Sequence, residues 1–200
     1  MYIFKYFSKL DTIRIAKIVN KKNINILDYG CGVGTWTKKD LSNKSFGKIT
    51  LYDKNKKLFY YLKKKYKEKK VNINFNKNKV LKNNKKYDLV ILSSVAQYLS
   101  KNELRKILGK LKNKSKKTTY LIIDIPKFQS FIEFILLPFF NIKRFFFSIR
   151  LIFNQEYKKI KIYRHNYNSY EFLKNQYKIK KISNLYDLKF LRYTLIIKQK

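Results

Sequence analysis

Short apolar runs alternate along the chain with segments whose apolar residues recur at helical spacing. Tyr87–Leu92 is a largely apolar run of the kind that central parallel strands show. Residues 101–113 carry leucine and isoleucine at i, i+3, i+4 and i+7, which predicts an amphipathic helix. The other predicted strands are Ile24–Leu27, Ile49–Tyr52, Val71–Phe75, Thr119–Asp124, Ile179–Leu185 and Leu191–Ile197, and the other predicted helices cover 7–20, 34–41, 55–68 and 167–176.

Strands that alternate with helices form βαβ units, which assemble into a mostly parallel sheet with helices on both faces. No internal repeat or Gly/Ser-rich linker divides the 200 residues. We therefore predict an α/β fold with a doubly wound sheet, and one domain that covers residues 1–200.

Three of the five glycines of the chain lie at alternate positions directly after the first predicted strand: Gly30, Gly32 and Gly34. A turn that passes close to a ligand needs residues that lack Cβ or can adopt positive φ. A helix that starts after such a turn points its free N–H groups at the bound group. The pattern predicts a nucleotide-type cofactor at the carboxyl edge of the sheet.

The glycine spacing separates two cofactor classes. The dinucleotide fingerprint G-x-G-x-x-G would require glycine where this chain has Thr35. Asp28–Gly34, with the sequence DYGCGVG, instead resembles motif I of the class I S-adenosylmethionine-dependent methyltransferases. That family has a Rossmann-like, seven-stranded sheet closed by an antiparallel hairpin, and it binds S-adenosylmethionine.

Further segments carry the same resemblance. Asp53 follows the second strand, 19 residues after Gly34, where the family uses an acidic residue to accept both ribose hydroxyls of the cofactor. Residues 87–99 resemble the fourth strand and its loop in small-molecule methyltransferases, residues 121–126 resemble the fifth strand, and residues 186–197 resemble the closing hairpin. One departure lies at Asn74–Asn78, which offers only amides where the family often has an acid for the adenine amino group.

The resemblance implies roles for individual residues. The backbone from Gly30 through Gly34, with Cys31 as a small filler, holds the methionine part of the cofactor, and Asp28 assists at its ammonium end. Ser93 is expected to contact the cofactor, and Ser94, Gln97 and Tyr98 to line the acceptor pocket. No catalytic residue is assigned, and the candidates for one are Tyr98 and His165.

The charge leaves the class of substrate open. The net charge is +36, which is typical of proteins with polyanionic partners, but 42 of the 48 cationic residues are Lys and only six are Arg. Nucleic-acid surfaces favour Arg for bidentate contacts, and biased codon usage also explains a Lys-rich composition. We expect a small-molecule acceptor (a metabolite, a sugar or a lipid-linked intermediate). An RNA- or DNA-modifying methyltransferase and a non-catalytic basic binding protein on the same fold remain alternatives.

Residues 128–155 form a Phe-rich stretch between the fifth strand and the next helical segment. In this family an insertion at that place usually covers the substrate pocket, so we expect a helical lid. There are two alternatives for this stretch. It packs into the core, or residues 128–153 contact an anionic membrane surface or nucleic acid.

Without a signal peptide or a membrane-spanning apolar run, the chain is expected to be cytoplasmic. One cysteine and one histidine make a zinc site implausible, and no metal is expected.

Overall fold

The computed structural model describes most of the domain and contains one seven-stranded sheet. The described residues are 23–34, 46–67, 69–82, 87–112, 118–126, 135, 138, 139, 142, 146, 149, 163, 167–183 and 192–200. Within them the strands are β1 (Ile24–Tyr29), β2 (Phe46–Tyr52), β3 (Val71–Asn74), β4 (Leu89–Ser93), β5 (Thr119–Pro126), β6 (Tyr177–Ser183) and β7 (Arg192–Gln199).

The strand order is β3-β2-β1-β4-β5-β7-β6. The first five strands pair in parallel, whereas β7 is antiparallel to both β5 and β6. This confirms the doubly wound sheet with its antiparallel closing hairpin. The chain progresses outward in one direction from β1 and in the other from β4, so the switch point of the topology lies between these strands, where open α/β sheets bind ligands.

Helices cover both faces of the sheet. α1 (Lys56–Lys65) buries Leu62 against the face that carries Ile26, Leu51 and Ile91. α2 (Lys77–Lys82), α3 (Lys101–Lys112) and a 3₁₀ helix at Tyr167–Leu173 cover the opposite face.

Polar side chains fix where these helices begin. Asn55 accepts a hydrogen bond from the Lys57 N–H at 3.0 Å and caps α1. Ser100 and Glu103 form a reciprocal capping box at the start of α3, with N–O distances of 2.8 and 3.2 Å. The hydrogen bonds from Ser100 hold the pKa of Glu103 below its usual value.

The helix predicted at 167–176 is a 3₁₀ helix over Tyr167–Leu173, followed by a turn. One described helix was not predicted from the sequence. This is α2, which is only six residues long and buries just Val80 and Leu81, too few for a helical period to show. The predicted helices at 7–20 and 34–41 lie largely or wholly outside the described residues. None of the described helices has the length and apolar content needed to cross a bilayer.

Candidate functional site

The loop after β1 adopts left-handed backbone at all three of its glycines. The φ angles are +79° at Gly30, +54° at Gly32 and +62° at Gly34. An L-residue with a side chain rarely adopts these angles, so glycine is needed at each position. The N–H groups of Gly30 and Cys31 donate to the Tyr52 carbonyl at 2.7 and 2.9 Å, which ties the loop to the end of β2.

The three glycines differ in what surrounds their Cα atoms. A Cβ at Gly30 would lie 2.4 Å from Val95 Cγ2, and a Cβ at Gly34 would lie 3.0 Å from the Tyr66 ring. Apart from its two chain neighbours, no atom of the described residues lies within 4 Å of a Cβ placed at Gly32. Among the described residues, the loop therefore packs tightly at both ends and is open at its centre.

Asp53 joins the end of β2 to this open centre. Its Oδ2 accepts the Gly32 N–H at 3.0 Å, and its Oδ1 accepts the Asn55 N–H at 2.9 Å. An ionised carboxylate has about four acceptor sites, so about two remain for hydroxyl donors of a ligand. The acid and the glycine loop thus form one connected unit with spare acceptor capacity.

Two residues that the sequence did not single out hold the outer side of the glycine loop. Lys65, the last residue of α1, donates through Nζ to the carbonyls of Val33 at 2.6 Å and Gly34 at 3.4 Å. The Tyr66 hydroxyl also donates to the Gly34 carbonyl. These contacts hold the carbonyl groups of Val33 and Gly34 in an orientation that faces α1.

Two further residues of the motif are buried. Asp28 is 0 % exposed within β1, and Cys31 packs into the core face beneath α1. Burial, followed by the negative charges of Asp28 and Asp53, raises the pKa of the Cys31 thiol well above its usual value. Cys31 is therefore a neutral thiol, a state that fits the role of a small filler and not that of a nucleophile.

The loop after β4 brings a second group of residues beside the first. Ser93 ends β4, and Ser94 adopts a φ of +54°, which is uncommon for a residue other than glycine. The Gln97 side-chain amide donates to the Ser94 carbonyl at 3.2 Å. Because Val95 packs on Gly30, this loop contacts the glycine loop directly.

Asp124, near the end of β5, is the partner of Ser94 and was not predicted as a site residue. The Ser94 hydroxyl donates to Asp124 Oδ2 at 2.6 Å. Asp124 has a φ of +67° and lies where the β5–β7 register shifts between Ile122 and Ile125. An irregularity of this kind redirects a side chain that would otherwise continue the pleat.

Arg192, the first residue of β7, balances the charge of Asp124. Its Nη1 lies 3.1 Å from Asp124 Oδ2, and the two side chains are only 13 % and 4 % exposed. The same nitrogen donates to the Asp124 carbonyl at 3.0 Å. A small cleft of about 20 Å³ opens beside this cluster and is lined by Ser94, Ala96, Gln97, Ile123, Asp124, Ile125, Tyr163 and Tyr170.

The remaining candidates divide between described and undescribed parts of the chain. Tyr98 is 43 % exposed, so its ring is not a core aromatic. His165 lies outside the described residues, as does most of 128–155. Of that stretch, the described positions are all helical, and Phe139 is the most exposed at 82 %. The lid and the membrane contact therefore remain predictions.

Comparisons with known proteins agree with this geometry. A family model described as a methyltransferase domain matches residues 5–191. A comparison with curated protein sequences finds no match.

Solved structures share the fold at low sequence identity. An S-adenosylmethionine-dependent methyltransferase from Clostridium acetobutylicum has a TM-score of 0.65 at 14 % identity, over 100 % of this chain and 92 % of that one. Magnesium protoporphyrin IX methyltransferase from Synechocystis, crystallised with S-adenosylhomocysteine, has a TM-score of 0.60 at 15 % identity, over 94 % and 79 %. A putative caffeoyl-CoA O-methyltransferase from Staphylococcus aureus has a TM-score of 0.54 at 16 % identity, over 94 % and 82 %. The chain belongs to the methyltransferase-domain family and is a class I S-adenosylmethionine-dependent methyltransferase.

Proposed function

We propose that this chain methylates a small-molecule acceptor that binds beside the ends of β4 and β5, with the cofactor held by the glycine loop and Asp53. The observation that carries the proposal is the contact between the Gly32 N–H and Asp53 Oδ2 at 3.0 Å, at the open centre of the loop. It joins the two elements that the family uses for the two halves of the cofactor. S-adenosylmethionine supplies the sulfonium-bound methyl group as the electrophile.

The residues of the site bind and orient. The backbone from Gly30 to Gly34 is suited to the methionine part, because its centre is open to a ligand while its carbonyls are held toward α1. Asp53 retains acceptor sites for the ribose hydroxyls. Asp28 is fully buried, so its effect on the ammonium end would act through the loop or through water. Ser93 lies where the β4 end meets the loop. Methyl transfer of this kind depends mainly on orientation, so a base is needed only when the acceptor must lose a proton.

A small acceptor is supported by the side chains at the ends of β4 and β5. Tyr163, Tyr170 and Ile125 lie together there and offer partly apolar and aromatic surface. The backbone of Tyr163 donates to the Gln97 carbonyl at 2.6 Å, so the chain after the Phe-rich stretch returns onto the β4 loop. Two proteins with the same fold are named as methyltransferases of small molecules, one of magnesium protoporphyrin IX and one, putatively, of caffeoyl-CoA.

The net charge of +36 keeps one alternative open, an RNA- or DNA-modifying methyltransferase. That function predicts binding to a specific nucleic acid with a steep dependence on salt and a clear preference over random polyanions. Equal binding to any polyanion would instead indicate only a basic surface.

Calorimetric titration with S-adenosylmethionine tests the cofactor site. Asp53→Ala removes the acceptor of the Gly32 N–H and the proposed acceptor of the ribose hydroxyls, so we expect affinity to fall by at least about tenfold, since hydrogen bonds to charged groups contribute about 1.5–3 kcal/mol each. Glu171→Gln is the matched control, because it removes one exposed acidic charge far along the chain from the loop. An unchanged affinity in folded Asp53→Ala would contradict the proposed site.

A further inference from the structure

We propose that an exposed apolar helix face in the Phe-rich stretch docks on an anionic membrane surface. Ile135, Phe139, Ile142 and Phe146 form this surface, which is named the apolar face. Docking adds a location to the proposed function and does not depend on which acceptor the enzyme uses.

Helical spacing is the first observation. Every described position from 135 to 149 is helical, and the four residues of the apolar face follow one another at i, i+4, i+7 and i+11. With 3.6 residues per turn, side chains at this spacing lie on the same side of a helix. Ile149, at i+14, continues the series and is partly buried. The described residues of the stretch therefore belong to one face.

The exposure of this face is the second observation. Its four side chains are 49 %, 82 %, 52 % and 63 % exposed, in chain order. α3 has four apolar residues at a similar helical spacing, but all of them are at most 2 % exposed: Leu104, Ile107, Leu108 and Leu111. Soluble monomeric proteins rarely leave a large apolar patch in water, and such a patch marks a surface that binds a partner or a membrane.

Charge indicates what covers the face. From Phe134 to Phe153, 14 of the 20 residues are Phe, Ile or Leu, and the only charged residues are the cations Lys143, Arg144 and Arg150. Long cationic side chains next to an apolar helix face keep their stems in apolar surroundings and extend their charged ends to the polar layer. Helices that combine an aromatic, apolar face with basic residues bind the boundary between the acyl chains and the headgroups of anionic lipids.

The same cations favour a helix that lies on the membrane over one that crosses it. A crossing segment of about 20 residues would carry Lys143, Arg144 and Arg150 into or near the hydrocarbon core, where a cation is strongly disfavoured. On the surface of the bilayer these side chains stay in the headgroup layer, close to the lipid phosphates.

Two other occupants fit the face less well. A second copy of the chain would bring another net charge of +36 against the same cations, so electrostatic repulsion opposes self-association. Single-stranded nucleic acid binds through bases that stack on aromatic rings, but two of the four residues of the face are isoleucines, which offer no ring. An anionic bilayer has both an apolar interior and a negative surface, so it matches both properties of the stretch.

The position of the stretch gives docking a functional consequence. β5 ends at Pro126, before the stretch, and after it the Tyr163 N–H donates to the Gln97 carbonyl at 2.6 Å. Both points lie at the carboxyl edge of the sheet, beside the proposed acceptor site. Docking would therefore hold that site close to the lipid headgroups, which suits a lipid-linked acceptor. This consequence, unlike docking itself, rests on the proposed function.

Vesicle binding tests the proposal. The full chain is sedimented with vesicles of phosphatidylcholine alone and with vesicles of equal parts phosphatidylcholine and phosphatidylglycerol. We expect binding to the anionic vesicles to be at least about tenfold tighter, because an anionic surface attracts each cation of the stretch. No binding to the anionic vesicles, or equal binding to both kinds, would overturn the proposal.

Substitutions separate docking through the apolar face from attraction by the net charge. Phe139→Ser together with Phe146→Ser removes two rings without changing the charge, so we expect binding to the anionic vesicles to weaken by at least about tenfold. Tyr60→Ser is the matched control and should leave binding unchanged, since Tyr60 is an aromatic residue of α1 that is 71 % exposed. Should the double variant not fold, Ile142→Ser serves instead, with an expected loss of about threefold. Equal binding by the wild type and the folded variant would overturn the proposal, because charge alone would then explain the binding.

Two further measurements detect a different occupant. Light scattering without vesicles should find a monomer, and binding to poly(U) should be the same in the wild type and in Phe139→Ser. A dimer that Phe139→Ser dissociates would assign the face to a second copy of the chain and overturn membrane docking. Weaker binding of poly(U) to Phe139→Ser would assign it to nucleic acid, with the same result.

Cofactor binding is measured without vesicles, so the two proposals fail separately. If vesicle binding depends on the apolar face while S-adenosylhomocysteine does not bind, docking stands and the proposed cofactor site fails. If S-adenosylhomocysteine binds and the apolar-face variants bind vesicles as the wild type does, the cofactor site stands and docking fails.

Discussion

Both loops at the carboxyl edge of the sheet adopt left-handed backbone, but they use different residues to do so. After β1 the conformation falls on Gly30, Gly32 and Gly34, whereas at the ends of β4 and β5 it falls on Ser94 and Asp124. Glycine adopts such angles without steric cost, whereas each residue with a Cβ pays roughly 1–3 kcal/mol.

The difference follows from what each loop uses. In the proposed cofactor site the glycine loop offers its backbone, so a side chain at its centre would obstruct the approach of the cofactor. The β4 and β5 ends are joined through side chains, so glycine at Ser94 would relieve the strain but remove the hydrogen bond to Asp124. The side-chain bonds from Ser94 and Arg192 to Asp124 offset the strain.

The largest effect that distinguishes the two regions is expected at Arg192. Arg192→Met leaves the Asp124 carboxylate buried without its cation, so we expect the free energy of unfolding to fall by about 3–5 kcal/mol. Urea denaturation measures this loss. Arg105→Met, which removes an exposed guanidinium that stacks on Phe172, should have a much smaller effect. Similar losses in both variants would mean that the Arg192–Asp124 pair does not hold the β5 end.

The glycine loop should be sensitive at its packed end and tolerant at its centre. Gly30→Ala combines an unfavourable φ with a Cβ that lies 2.4 Å from Val95 Cγ2, so we expect a stability loss of about 2–4 kcal/mol. Gly32→Ala, with φ of +54° and open space, should lose only about 1–2 kcal/mol. Thermal denaturation measures the stability of both variants, and calorimetric titration with S-adenosylhomocysteine measures their cofactor affinity. We expect Gly32→Ala to lose little stability but to bind the cofactor clearly more weakly than the wild type. The reverse order of stability would contradict the packing described for the loop.

The contacts from α1 to the loop carbonyls should have a moderate effect on cofactor affinity. Lys65→Met and Tyr66→Phe each remove donors to the carbonyl of Gly34, so we expect the dissociation constant for S-adenosylhomocysteine to rise about threefold to tenfold in each, equivalent to roughly 0.5–1.5 kcal/mol. Lys64→Met, in the same helical turn, is the control and should bind as the wild type does. If Lys65→Arg binds the cofactor as tightly as the wild type does, the weaker binding of Lys65→Met is caused by the lost hydrogen bonds to the loop and not by lost packing.

A comparison between two substitutions isolates the strain at Ser94. Ser94→Ala and Ser94→Gly both remove the hydroxyl bond to Asp124, but only glycine accepts a φ of +54° without strain. We therefore expect Ser94→Gly to be more stable than Ser94→Ala by about 1–2 kcal/mol in urea denaturation. At an ordinary position alanine would be the more stable of the two, by about 0.4–1 kcal/mol. That ordinary order, if found, would show that Ser94 is not strained.

The two regions also differ in how far the sequence predicts them. All seven strands and the glycine loop follow from local patterns, because strand burial and turn conformation act over a few residues. Asp53 was predicted because it follows the second strand at the place where the family that the chain resembles uses an acidic residue. Asp124 ends an apolar run, but its pairing with Arg192, 68 residues away, depends on the β5–β7 register. Lys65 likewise reaches Val33 across 32 residues. Contacts that require the assembled sheet leave no periodic pattern in the chain.

The bonds that hold Gly30, Cys31 and Gly32 to the end of β2 also bear on the speed of cofactor capture. A loop whose amides are already fixed by the Tyr52 carbonyl and by Asp53 has little conformational freedom left to lose on binding. Its association with the cofactor is then a single encounter rather than an encounter followed by ordering. In stopped-flow measurements the observed rate should rise linearly with cofactor concentration, without the plateau that a slow ordering step imposes.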